Sequence, residues 1–371
     1  MMIIPEKIKS MSYRSIVTAG LIFLLSYSAS AQGVSETRSF MKSMPVTKET
    51  SLDVSNKYGN IYVTPWNKDS AYIKVEIKAF ASNPAKLKKM FDGITVSINE
   101  SDKLITAHTD FIQNIGNLFE GFKGLTNKLI SYESRMEIDY YINVPEYLNL
   151  NINNKYGDVY IGKCTGDFSV SLSNGSFRAD YLGEKSSVEL TFCNAAINSV
   201  ISGTIDASFS EFTIESVRDI KITSTSSRYD IAKAGEIRFE SRRDKFFIDT
   251  ISSMSGNSYF TDYDIKYLKK HINLNTKYGN LDADLIGPEF ESIILDCGYS
   301  DISLNFDENT SYNLDIKHIN TFLVLPSMNI NTKQETLNAE KKEYKTTGTV
   351  GKNPGSSKVR IDAVRGNIYL K

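Results

Sequence analysis

The chain has 371 residues, 41% of them apolar and 23% charged, with a formal net charge of −1. That composition fits a folded protein with a substantial core. The near-neutral balance excludes the clustered basic excess of a nucleic-acid-binding domain.

The first segment reads as a leader and not as part of the fold. Lys7, Lys9 and Arg14 make a positive region, Ile16 to Leu25 a short apolar run, and Ala29-Ser30-Ala31 a small-residue cleavage signature. The pattern predicts a cleaved secretory signal peptide over residues 1–31. The run is too short to span a bilayer, and no later segment approaches about 18 apolar residues, so no transmembrane helix is expected in the mature chain. Export leads to the periplasm or to the outer cell surface and extracellular space. Cys164, Cys193 and Cys297 are odd in number and far apart, which is no disulfide framework. Buried inert thiols and one disulfide among the three both stay open.

Residues 32–135 read as a strand-rich N-terminal portion. Ser51 to Asn56 and Asn60 to Thr64 form a strand, a corner and a strand. Ala71 to Ala79 alternates polar and apolar residues, as a half-buried strand does. Asn83-Pro84 opens a short helix that Gly93 closes, with Leu87, Met90 and Phe91 on its apolar face. Ile94 to Ile98 and Leu104 to Thr109 read as a hairpin. Over 111–130, Phe111, Ile115, Leu118, Phe122, Leu125 and Leu129 recur at helical spacing. Gly116, Gly121 and Gly124 each lower the propensity of that amphipathic helix by roughly 1 kcal/mol. Such a helix is held by packing or is flexible; it reads as a packed lid, an interfacial membrane helix, or a docking element for a partner.

From about residue 136 a repeat takes over. Asn56-Lys57-Tyr58-Gly59-Asn60-Ile61-Tyr62-Val63 returns as Asn154-Lys155-Tyr156-Gly157-Asp158-Val159-Tyr160-Ile161 and as Thr276-Lys277-Tyr278-Gly279-Asn280-Leu281. Looser copies are Ser173-Asn174-Gly175-Ser176-Phe177, Gly298-Tyr299-Ser300-Asp301-Ile302 and Arg365-Gly366-Asn367-Ile368-Tyr369. Corners near Gly157, Gly175, Asn194, Glu211, Arg228, Asp244, Asp262, Gly279, Gly298 and Asn320 are about 16 to 22 residues apart, a solenoid period. The fold class is all-β: a parallel β-helix-like solenoid of about ten two-strand rungs over 136–371, with a short helical insertion. Asn331 to Ser357 reads as a polar excursion, and Lys358 to Ala363 with Asn367 to Leu370 as a final rung whose neighbours blunt an open edge.

These corner units, followed by a short helix, by ladders of Ser-Asn-Gly rungs and by a closing Val-x-Gly-Asn-Ile-x-Leu-like strand, resemble the bacterial putative-adhesin family of β-strand-repeat envelope proteins of unknown function. The resemblance covers nearly all of 40–371. It implies an exported β-solenoid with no catalytic residues to carry over. The degenerate corner Ser226-Ser227-Arg228-Tyr229 and the 111–130 insertion depart from the pattern.

Chemistry is sparse. With Leu281, Ala283 and Leu285 inward, Asp282 and Asp284 face out, and Asp180, Asp230, Asp249, Asp264 and Asp301 extend an acidic row. The candidates for a cation are Asp264, Asp282, Asp284 and Asp301, beside a plain solvated face offset by Lys233 and Lys266. No calcium loop, no histidine metal spacing among His108, His271 and His318, and no nucleophile elbow is present. Tyr58, Tyr156, Tyr278 and Tyr299 can stack as a structural column or form a ligand-facing strip, for instance for glycans. The reading is a non-enzymatic exported envelope protein, an adhesin-like binding scaffold without cofactors. Its partners are a surface glycan or an envelope protein, with docking through 111–130. A periplasmic structural or signalling component and a carbohydrate-active β-helix enzyme, attacking polyuronates through Asp282 and Asp284, are the alternatives.

Overall fold

A computed structural model describes residues 33–112, 134–327 and 329–371. The leader 1–31 and nearly all of the helix expected at 111–130 lie outside those residues. Among the described residues no helix is long and apolar enough to cross a membrane. The described chain forms two compact units. Residues 33–36, 79–93 and 134–135 make the smaller; 37–78, 94–112 and 136–371 make the larger.

The smaller unit carries the expected helix, Pro84–Asp92. Asn83 is its N-cap, its side chain accepting from the Lys86 N–H at 2.8 Å, and Pro84 fits the first turn because no N–H is needed there. Leu87, Met90 and Phe91 are buried. The larger unit is all-β. The expected hairpin is present as Ile94–Ser101 paired antiparallel with Leu104–Phe111.

The repeats pair in parallel, each rung on the next, and the described strands join into one open sheet of 24 strands. The central strands are longer than two short strands per rung would give. Glu211–Thr225, Arg228–Arg242 and Lys245–Tyr259 each run 15 residues. The register carries one column through five rungs, Ile197, Ile214, Ile231, Ile248 and Ile265, all buried, and shifts only beyond Ile251 in the last of these pairings. Burial of each such side chain contributes roughly 1.5–3 kcal/mol. A one-residue slip would turn the whole column outward, so the alternation fixes the pairing. A second interior column stacks rings: Phe212 on Tyr229 at 4.8 Å, Tyr229 on Phe246 at 4.6 Å, and Phe246 on Tyr263 at 5.3 Å. Phe239 meets Phe246 edge-on at 4.6 Å across the interior.

The Lys-Tyr-Gly-Asn motif has a physical cause at each position. Tyr58 and Tyr156 turn the chain in the left-handed region, with φ 66° and 59°. Glycine follows because the backbones touch: a Cβ on Gly157 would lie 1.9 Å from the Gly59 carbonyl oxygen. Asn60 then accepts the Asp158 N–H at 2.8 Å, and Asp158 accepts the Ser176 N–H at 2.7 Å, so each side chain satisfies the next rung. Inside the corner, buried Asn56 and Asn154 donate to the Ile138 and Gly59 carbonyls.

Chain order and stacking order part company at both ends. Ser51–Lys57 lies between Leu104–Phe111 and Asn149–Lys155. Lys358–Val364, expected as the last rung, is inserted between Ser292–Gly298 and Tyr312–Ile319. The stretch expected as a polar excursion is an antiparallel hairpin, Ile330–Asn338 with Glu343–Val350, and the latter pairs with Tyr312–Ile319. Its outer strand is exposed and polar along nearly its whole length, which blunts the edge against further pairing.

Candidate ligand-binding surface

The corners place one residue per rung at the same left-handed position. In stacking order these are Phe192, Phe209, Ser226, Arg243, Phe260, Tyr278 and Tyr299, with φ between 51° and 59°. From Phe209 on, each is tied to the next rung by its N–H: Phe209 donates to Thr225, Ser226 to Arg242, Arg243 to Tyr259 and Phe260 to Lys277. Bulky side chains seldom adopt this conformation. Asn174 does so at the same position with φ 59°, so the turn itself does not require a ring.

The rings are nevertheless there and face solvent. Phe192 and Phe209 are 58% and 54% exposed, and Phe260, Tyr278 and Tyr299 are also exposed. Phe192 stacks on Phe209 at 5.0 Å and 9°. Phe260, Tyr278 and Tyr299 continue at 5.0 Å per step. Arg365 closes that block, its guanidinium 5.0 Å from the Tyr299 ring centre and its Nη1 donating to the phenol at 3.0 Å. Tyr58 on Tyr156 makes a further block at 5.5 Å. Stacked this way, the rings present edges, and their faces are used by one another. A separate ladder, Tyr141, Tyr62 and Tyr160, is stacked at 5.2 and 4.9 Å and capped by Lys74 and Arg178.

The strip is interrupted where Ser226 and Arg243 take the place of rings, between Phe209 and Phe260. Under this notch lies Asp244, which is buried. Its carboxylate accepts from the Ser227 N–H at 2.7 Å, the Ser241 hydroxyl at 2.6 Å and the Arg242 N–H at 3.1 Å. Burial raises its pKa above the usual carboxylate value, against those hydrogen bonds.

The sequence-predicted acids do not form one row. Asp264 and Asp282 are register neighbours in a column with Asp230, interrupted by Phe247. Asp301 lies in another, accepting from the Asn367 N–H and side-chain amide at 2.9 and 2.8 Å. Asp284 falls near Lys266, which is paired with Asp249 at 2.5 Å. Asp282 and Asp301 share a shallow depression of about 420 Å³ with Asn280, Tyr369 and Lys371. No group of three or more metal-binding side chains occurs among the described residues. His271 is half-buried, 3.1 Å from the Ser292 hydroxyl and 3.3 Å from Glu291. His318 is buried, and burial lowers its pKa, opposed by the Thr321 backbone. Cys164, Cys193 and Cys297 are free and buried, and burial pushes the Cys164 and Cys297 thiols up to about 11 and about 12.

The tyrosines 58, 156, 278 and 299 stack as the corner motif suggests. Sequence reasoning missed Phe192, Phe209 and Phe260 in the same column, and read Asp244 only as a corner residue, not as a buried carboxylate. The signal was available: 192, 209, 226, 243 and 260 are spaced by 17 residues. These corners lack the Tyr-Gly pair, and the polar residues one or two positions later are the more conspicuous turn signal.

No protein-family profile matches the chain, and no curated protein matches it. Solved structures with some likeness include a putative cell adhesion protein from Clostridium sporogenes, 12% identical, covering 91% of this chain and 100% of that one, with a TM-score of 0.22. A putative adhesin from Bacteroides fragilis is 12% identical over 90% of this chain and 97% of that one, with a TM-score of 0.25. A putative lipid binding protein from Parabacteroides distasonis is 11% identical over 74% and 94%, with a TM-score of 0.25.

Proposed function

We propose that the chain is an exported, non-enzymatic binding scaffold of the cell envelope, that its parallel rungs wind as a β-solenoid, and that the aromatic corner strip is its contact surface. One observation carries this: exposed rings repeat at a left-handed position that asparagine fills more easily. Stacking contributes about 0.5–1.5 kcal/mol per pair. Left-handed strain costs of order 1–3 kcal/mol per residue. The rings thus bring the fold little net stability while leaving an apolar strip in water, the usual mark of an interaction surface.

The test is retention of the secreted protein on its own cells. Replacing Phe260, Tyr278 and Tyr299 together by Asn keeps the corners and removes the rings. Retention is expected to fall to background, and unchanged retention of a folded triple variant would refute the reading. Protease treatment of intact against lysed cells reads the location. Digestion on intact cells fits a surface scaffold; protection until lysis leaves the periplasmic role in its place.

A further inference from the structure

We infer that the notch at Ser226 and Arg243 is a binding site for an acidic sugar ring, one carrying a carboxylate or sulfate, within a polysaccharide. The inference rests on the scaffold reading and names the ligand class for part of that surface.

The argument starts from the ring faces. Within each block a ring is covered by the next ring, or by Arg365 on Tyr299. At Phe209 the stack stops, because the next rung supplies only the Ser226 side chain. Among the described residues no ring or cation stacks on the Ser226 side of Phe209, a ring 54% exposed. Phe260 stands three rungs beyond Phe209, roughly 14 Å away at about 4.8 Å per rung. A flat ring can therefore continue the column over Ser226, where an aromatic side chain would otherwise sit. A sugar presents C–H groups on its face, which suit an aromatic face.

The charge comes from Arg242, Arg243 and Lys245. They are exposed, and among the described residues none of them makes an ion pair. Three acids lie nearby and keep their charge: Glu240, which accepts from Asn257 at 3.1 Å, Asp262, the register neighbour of Lys245, which accepts from the Asn280 N–H and amide at 3.1 and 3.0 Å, and Glu211, the register neighbour of Arg228; Arg242 and Arg243 have none of them as a register partner. Asp230 holds Arg228 in a two-point pair at 2.9 and 2.8 Å, which removes Arg228 from the free set. Asp244 fixes the corner from below by holding the Arg242 and Ser227 N–H groups. The next level after a ring seated over Ser226 is Arg243, whose planar fork suits a carboxylate or sulfate. Among the described residues the strip has one other break, at Asn174; it is one rung wide, and Lys155 on the preceding rung is already 5.3 Å over the Tyr156 ring.

The experiment is calorimetric titration of the full chain with three probes of similar length: oligogalacturonate, a sulfated oligosaccharide and neutral maltohexaose. The acidic probes are expected to bind, more weakly at higher salt, and the neutral one not. Arg243→Gln is expected to weaken binding about tenfold to a hundredfold. Ser226→Phe completes the ring column and is expected to abolish binding without loss of thermal stability. Which acidic probe binds distinguishes carboxylate from sulfate. The inference falls if neither acidic probe binds, if the neutral probe binds equally, or if folded Ser226→Phe binds like the parent. If Ser226→Phe fails to fold, Arg243→Gln decides alone. Cell retention that still depends on Phe260, Tyr278 and Tyr299 would leave the scaffold reading standing while this site fails.

Discussion

Two ring columns run through the same rungs with almost the same spacing and opposite surroundings. The interior column, Phe212, Tyr229, Phe246 and Tyr263, steps by 4.6 to 5.3 Å and is fully buried. The corner column, Phe260, Tyr278 and Tyr299, steps by 5.0 Å and is exposed. Stacking is therefore not what separates them. Inside, the rings exclude water and fill volume; at the corner they do neither. Rung spacing alone brings rings together wherever one residue type repeats, so a ladder says nothing about its purpose until its burial is known.

The sharpest way to break the comparison is to remove one interior ring. Tyr229 is packed between Phe212 and Phe246 and bonded through its phenol to the Ser224 hydroxyl at 2.9 Å. Tyr229→Ala leaves a cavity in a column that cannot collapse, because the backbone ladder fixes the rung spacing. We expect a loss of about 3–5 kcal/mol in denaturant unfolding. A loss below about 1 kcal/mol would mean that the interior column is not the core.

Asp244 connects the two columns, since it is buried within the rung and shapes the corner. Asp244→Ala orphans the Ser227 and Arg242 N–H groups, while the Ser241 hydroxyl keeps its bond to the Thr261 hydroxyl at 2.8 Å. Each unmet buried group costs about 1–3 kcal/mol, and partial access of water brings the expected total to the lower part of that range. The pH dependence is separable. Because the folded pKa is raised, the carboxyl's contribution is fully present below the unfolded value of about 3.9 and is lost as pH rises through the folded pKa. Asp244→Asn should remove that part of the slope, and an unchanged stability profile above pH 4 would count against it.

This is also where legibility in the sequence ended. The stacked strand–corner–strand rungs were readable, because the corners recur at a solenoid period. So were the Tyr-Gly-Asn corners, because each residue there has a separate backbone reason. Asp244 was readable only as a turn residue, since burial of a carboxylate depends on which N–H groups the next rung brings to it. The insertion of Lys358–Val364 between two earlier rungs was not readable at all. Parallel pairing of similar strands is decided by long-range competition between them, and the local pattern of that segment suits an end or an interior rung equally. The acidic residues looked like one row because parity gives the face of a strand but not its register; Asp301 belongs to a different column from Asp282.

A smaller, pH-dependent effect is expected at His318, under the antiparallel hairpin and beside Tyr344 at 5.5 Å. Its folded pKa is lowered by burial from 6.5. The stability it permits is present above the unfolded pKa and is lost as pH falls through the folded one. Thermal midpoints should therefore drop between pH 7 and 5, and His318→Gln should flatten that drop. Equal slopes in the two proteins would show that the imidazole is not titrating in the fold.

The smallest effect on stability, and the one that gives the contrast its meaning, is expected at Tyr278. Tyr278→Asn removes three ring contacts, stacked on Phe260 and Tyr299 and edge-on to Tyr259, each worth about 0.5–1.5 kcal/mol. It also replaces a bulky residue at φ 58° by one that tolerates the left-handed region, as Asn174 and Asn320 already do at equivalent corners. The two terms oppose each other, so the net change should stay within about 1 kcal/mol, against several for Tyr229→Ala. Retention on cells should nonetheless weaken, because the strip loses its middle ring. If Tyr278→Asn instead cost as much as Tyr229→Ala, the corner rings would be structural, and the case for a contact surface would have to be made without them.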